Sequence, residues 1–237
     1  MMSTPTSDSG QIIVLCGDSM MAAYQPEEPY RGWGQYVAVS TDPAATVVNL
    51  AKCGASTKTF VSLGLWSKAL AAKPTWVLIQ FGHNDSHSPD RPESTDAAGE
   101  FTRNLGCMID QVVEIGARPV LITPVRRRTW SADGILLDNL APYAAAVQAV
   151  ATERSVALVD LHRISGAEYL RMGRTLAETW SPVAGDYSHF SGPAAQTVAT
   201  WVLDALPAEY PRGSNPAMTP PMPIPQATAT LDRPAGY

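Results

Sequence analysis

The sequence predicts an α/β three-layer sandwich built on a parallel sheet. Five short apolar runs, at residues 11–16, 46–50, 76–81, 119–123 and 156–161, are rich in Val, Ile and Leu without strict alternation. That is the pattern of strands covered on both faces. Stretches with helical spacing lie between the runs, and strands that alternate with helices pack as a parallel sheet between helical layers.

The elements follow in order. The first run ends in Gly17-Asp18-Ser19, the second in Asn49-Leu50 and the third in Gln80-Phe81, each leading into a polar or glycine-containing loop. Phe101, Leu105, Met108, Ile109 and Val112 then recur on one helix face, with Gly116 as a stop. Leu136, Leu140, Tyr143, Val147 and Val150 form a second stripe before the fifth run. A third helix follows Ser191 as N-cap, with Pro193 in its first turn and Ala195, Val198, Val202 and Leu206 on one face. Beyond it, residues 207–237 hold eight of the 20 prolines and almost no periodicity, the mark of an extended tail rather than a second domain. The expected organisation is a catalytic domain over 1–206 and a proline-rich tail over 207–237. Such a tail can dock on its own body or make a homo-oligomer with a neighbouring subunit.

Composition narrows the function classes. The chain has 237 residues, 45% hydrophobic, with a formal charge of −5, so it offers no electrostatic footprint for nucleic acid or anionic lipid. The only basic cluster is Arg126, Arg127 and Arg128. Three cysteines without a CxxC pair argue against a zinc ribbon or a thioredoxin-like centre. Cys16 and Cys107 lie in apolar segments and are expected as buried thiols, and Cys53 is expected to be equally inert. The N-terminus has no basic n-region and the run after it is too short for a membrane span. The expectation is a soluble cytoplasmic protein, or a secreted one if a leader has been removed.

Chemistry collects at the strand ends. A nucleophilic serine needs a sharp strand-to-helix turn that exposes its hydroxyl, and Gly17 permits such a turn before Ser19. In Asp186-Tyr187-Ser188-His189, a carboxylate three residues before an imidazole can accept the Nδ1 proton and leave Nε2 free to act as base. Gly54 follows the second strand and Gly82-His83-Asn84-Asp85 the third, on the sheet edge where ligands bind in parallel α/β folds. Gly54 can offer a backbone N–H and Asn84 an amide to an oxyanion. Taken singly, each of these segments is an ordinary turn or cap.

In this order the four segments resemble the conserved blocks of the GDSL, or SGNH, hydrolases over residues 11–206. The resemblance implies Ser19 as nucleophile, Asp186 and His189 as its triad partners, and Ser19, Gly54 and Asn84 as oxyanion donors. It implies a flavodoxin-like sheet of five parallel strands and no cofactor. Gly32-Trp33-Gly34, Gln80-Phe81-Gly82-His83-Asn84-Asp85 and the Phe190 that follows His189 are similar to the rhamnogalacturonan acetylesterase branch. That branch implies deacetylation of plant cell-wall saccharides through an acetyl-serine. Trp33, His83, Arg126, Arg127, Arg128 and Trp130 are the expected substrate contacts, the arginines as a clamp for uronic-acid carboxylates and the tryptophans as sugar platforms.

Three other readings compete. His83-x-x-x-His87 with Asp85 has the spacing of a metal site, but it follows a strand and runs into Ser88-Pro89, so no metal is expected. The blocks do not define the acyl group, which leaves a carboxylesterase or thioesterase for aryl or lipid-like esters. A catalytically dead saccharide-binding protein is the third.

Overall fold

Five strands form one sheet: β1 (Ile12–Gly17), β2 (Thr46–Asn49), β3 (Trp76–Gln80), β4 (Arg118–Ile122) and β5 (Ala157–Val159). All pairings are parallel and the order is β2-β1-β3-β4-β5. This computed structural model describes residues 10–213. Most of the expected tail, and any subunit contact through it, lies outside the described residues.

Side chains alternate between two cores, as the period of two requires. Ile13, Leu15, Leu78, Val120, Ile122 and Val159 face one layer, with Trp33, Phe190 and α7 (Gly192–Ala205) packed on them. Val14, Cys16, Val77, Ile79 and Leu121 face the other. There they meet α1 (Thr57–Ser62), α2 (Leu65–Ala71), α3 (Thr102–Glu114) and α4 (Ala141–Glu153). Both faces of each central strand are therefore apolar, which is why the sequence shows runs rather than alternation.

The helices differ from expectation in informative places. The stripe drawn from Leu136 splits: Leu136 is buried, but it pairs across a hairpin with Trp130, and α4 starts only after Leu140. The fifth strand stops at Val159 because the Asp160 side chain accepts from Arg163 N and caps α5 (Leu161–Met172), which is followed by α6 (Arg174–Glu178). Cys16 is sealed in the core, where burial pushes its thiol up. Cys53 and Cys107 are exposed, so the expectation of buried thiols holds only for Cys16. Core packing also continues past Leu206. Tyr210 is buried edge-on to Trp76, and Arg212 donates to Leu203 O and Leu206 O at the end of α7.

Candidate active site

β1 ends where no side chain larger than hydrogen fits, because a Cβ on Gly17 would stand 2.7 Å from Gln80 O. The chain then turns on Asp18. Its carbonyl accepts from Met21 N and Ala22 N, and its buried carboxylate accepts from Met20 N at 2.9 Å. The turn leaves Ser19 8% exposed at the carboxyl edge of the sheet. Gly32-Trp33-Gly34 braces it from behind. A Cβ on Gly32 would overlap the Ala22 carbonyl, and Trp33 N donates to Met20 O at 2.8 Å.

The loop before α7 supplies the partners of Ser19. His189 Nε2 lies 3.0 Å from Ser19 Oγ, and His189 Nδ1 lies 2.8 Å from Asp186 Oδ2. Since a carboxylate only accepts, Nδ1 carries the proton and Nε2 presents its lone pair to the serine hydroxyl. Burial alone would raise the Asp186 carboxyl. The backbone N–H groups of His189 and Ser188, followed by the imidazole, outweigh it and bring the carboxyl to about 2. Asp186 therefore stays ionised at any pH where an esterase works. The Tyr30 ring packs on the imidazole, with centroids 4.9 Å apart, and burial followed by the nearby Asp186 raises its hydroxyl.

The oxyanion candidates sit on two neighbouring loops that are tied together. Gly54 has φ +78°, a left-handed conformation that favours glycine. Asn84 uses one amide hydrogen on Ala55 O at 2.8 Å, which leaves its second N–H for a ligand. Asp85 locks the same pair of loops from below. Its fully buried carboxylate accepts from Thr57 N, Thr57 Oγ1 and Thr95 Oγ1. Burial dominates these bonds and pushes Asp85 up to about 6. His83, one residue before Asn84, is buried with Nδ1 3.2 Å from Asp18 Oδ2, so the oxyanion loop is also bonded to the nucleophile turn.

The expected substrate contacts divide. Trp33 is not a sugar platform: its indole is fully buried and donates to Gln80 Oε1 at 2.7 Å. Trp130 is half-buried against the core, with its indole nitrogen sealed from solvent. His83 likewise turns inward to Asp18 rather than outward to a ligand. Arg128 is the largest correction. It is fully buried, donates to Ser188 O at 3.1 Å and His189 O at 2.7 Å, and lies over the Phe190 ring at 5.0 Å. A guanidinium that holds the triad loop cannot also clamp a substrate. Arg126 pairs with Asp138 at 3.0 Å. Arg127 is the one of the three that is neither sealed in the core nor ion-paired among the described residues.

The two histidines of the metal-like spacing have separate partners. His83 turns to Asp18 and His87 to Glu93, and among the described residues no group of three His, Cys, Asp or Glu side chains is arranged to hold a metal ion. Among the described residues no helix is long and apolar enough to cross a membrane. Sequence reasoning missed Tyr30 against His189 and the strut role of Arg128, neither of which has a local signature.

Known proteins are similar to this chain over most of its length. The probable rhamnogalacturonan acetylesterase YesY of Bacillus subtilis is 33% identical over 200 residues, covering 82% of this chain and 91% of its own. Rhamnogalacturonan acetylesterase RhgT of the same organism is 37% identical over 218 residues, covering 82% and 88%. Among solved structures, that of Bacillus subtilis YxiM superposes with a TM-score of 0.73 at 27% identity, covering 84% of this chain and 56% of that one. The acetylxylan esterase Axe2 of Geobacillus stearothermophilus shares the fold, with a TM-score of 0.64 at 18% identity over 83% of this chain and 94% of its own. A model of the GDSL-like lipase/acylhydrolase family matches residues 15–193, well over half of the chain. With the Ser19 turn, the Gly54 and Asn84 loops and the His189 loop at one sheet edge, and with a match of this extent, this chain belongs to the GDSL-like lipase/acylhydrolase family.

Proposed function

We propose that the protein is a serine esterase that removes acetyl groups from plant cell-wall saccharides, those of rhamnogalacturonan first among them. The observation that carries the reading is the hydrogen-bonded line from Ser19 Oγ through His189 to Asp186, in a chain 37% identical to a rhamnogalacturonan acetylesterase.

The geometry supports a two-step acyl transfer. Ser19 Oγ attacks the acetyl carbonyl while its proton passes to His189 Nε2. The carbonyl electrons move onto oxygen, and that oxyanion receives hydrogen bonds from Ser19 N, Gly54 N and the free Asn84 N–H. Each such donor supplies about 3–4 kcal/mol to the transition state. Collapse breaks the C–O bond to the sugar, whose oxygen takes the proton from His189, and leaves acetyl-Ser19. Water then attacks the acyl carbon, gives its proton to His189, and releases acetate as the proton returns to Ser19. Asp186, ionised throughout, holds the imidazole tautomer and stabilises the transient imidazolium.

Acetate release from acetylated rhamnogalacturonan, acetylated xylan, and nitrophenyl acetate and octanoate tests the reading. The expected order places the acetylated polysaccharides and the acetyl ester ahead of the octanoyl ester. Faster turnover of octanoate than of every acetyl substrate would move the enzyme to lipid-like esters.

A further inference from the structure

Three consecutive arginines follow in the loop after β4, on the same edge as Ser19, and their fates differ. Arg128 is sealed beneath the triad loop and Arg126 is neutralised by Asp138. Arg127 remains half-exposed. Its Nη2 donates to His83 O at 3.0 Å and reaches Ser86 Oγ at 3.4 Å, so its head lies beside the loop that carries Asn84. No described carboxylate pairs with it, although the buried Asp18 charge beneath Ser19 is near enough to be felt. Partial burial pulls the Arg127 pKa below the ordinary arginine value while Asp18 pulls it back up. The guanidinium is thus partly desolvated, anchored through one nitrogen, and left with further N–H donors on its fixed fork.

Such a group has a natural complement. A planar cation with spare parallel donors matches a carboxylate, and a partly desolvated one gains more from it than a solvated one. The surrounding chain carries a formal charge of −5, so a polyanionic substrate is repelled overall and needs a local cation to be held near Ser19. We propose that Arg127 is the specificity-determining residue that binds the carboxylate of a galacturonosyl unit in the substrate, at or next to the acetylated sugar. This rests on the saccharide-acetylesterase reading above and assigns its preference for uronate over neutral saccharides to one side chain.

The test pairs two enzymes with two substrates. The substrates are an acetylated galacturonate-containing oligosaccharide with free carboxylates and the same oligosaccharide with its carboxylates converted to methyl esters. Wild type should favour the free acid by about tenfold in kcat/KM, mainly through KM, the size of one charge-assisted pair. Arg127→Ala should reduce that ratio to about one, and Arg127→Lys should retain part of it, because the charge remains and the fork is lost. Loss of the His83 carbonyl bond slows both substrates alike and cannot change the ratio, so the ratio separates recognition from support. A wild-type ratio near one, or an unchanged ratio in Arg127→Ala, overturns the proposal. If wild type cleaves nitrophenyl acetate but neither oligosaccharide, the saccharide reading fails, and the inference is then read from inhibition of that cleavage. Oligogalacturonate should inhibit wild type more strongly than its methyl ester and lose that advantage in Arg127→Ala. Equal inhibition by the two oligomers overturns it.

Discussion

Replacing Arg128 by alanine separates a structural arginine from a binding one. The side chain is fully buried and donates two charge-assisted bonds, to Ser188 O and His189 O, while its backbone N–H holds Tyr187 O at 2.8 Å. The backbone bond survives the substitution and the other two do not. Two charge-assisted bonds at about 1.5–3 kcal/mol each give about 3–6 kcal/mol. The lost contact with the Phe190 and Tyr169 rings and the cavity add to this. Release of a buried guanidinium, whose Nε has no hydrogen-bond partner among the described residues, offsets part of it. The expected loss of folding stability is about 3–5 kcal/mol, read from urea unfolding at neutral pH. Turnover should fall as well, because the carbonyls set free belong to the segment that aims His189 at Ser19. A displacement of an ångström at a reacting group costs about a hundredfold. Arg128→Met, which fills the cavity without bonding the carbonyls, should recover stability more than turnover. A destabilisation below about 1 kcal/mol with unchanged turnover would refute the strut.

Three further outcomes follow from the same geometry. Ser19→Ala should lose nitrophenyl acetate turnover by on the order of a millionfold while keeping its unfolding curve, and retention of a tenth of the activity would remove Ser19 from the mechanism. Asn84→Ala should cost about a hundredfold or more in kcat. Unchanged turnover would leave that amide only as a clamp on Ala55. Asp85 makes a prediction in pH. Its folded pKa of about 6 lies above its ordinary 3.8, so the folded state binds more protons between those values and stability declines as pH rises through them. The decline is about 3 kcal/mol, and Asp85→Asn should flatten it. Parallel stability curves for the two proteins across that window would show that Asp85 does not titrate there.

The sheet was legible because each central strand is buried on both faces, so its apolar run needs no long-range information. The pairing of Asp186 with His189 was legible for a similar reason: three residues in one turn bring the two side chains together locally. What stayed hidden depends on partners distant in sequence. α5 buries Leu161, His162, Ser165, Gly166 and Tyr169, a face interrupted by polar and small residues, so periodicity could not find it. Leu136 keeps the spacing of α4 but spends its burial in a hairpin with Trp130. Trp33 carries the chemistry of a sugar platform, yet its indole is bonded to Gln80, 47 residues away. Arg128 finds its carbonyl acceptors 60 and 61 residues on. Nothing local distinguishes it from Arg127.

That indistinguishability has a physical consequence for how the site is held. Successive side chains leaving a strand point in different directions, so one basic run at the end of β4 reaches three neighbours at once. Arg126 ties to Asp138, which also lies 3.0 Å from His162 at the start of α5. Arg127 holds the loop that carries Asn84, and Arg128 holds the loop that carries His189. On the other side, Asp18 binds His83 and so joins the nucleophile turn to the same Asn84 loop. The loops that line the Ser19 site are therefore fixed to one another by charged groups, of which Asp18 and Arg128 are fully buried. Burying such charges costs more than burying hydrocarbon of the same size, so stability alone would not select them. Their directional bonds fix distances that apolar packing leaves free, and electrostatic catalysis depends on donors that need not reorganise when the charge develops.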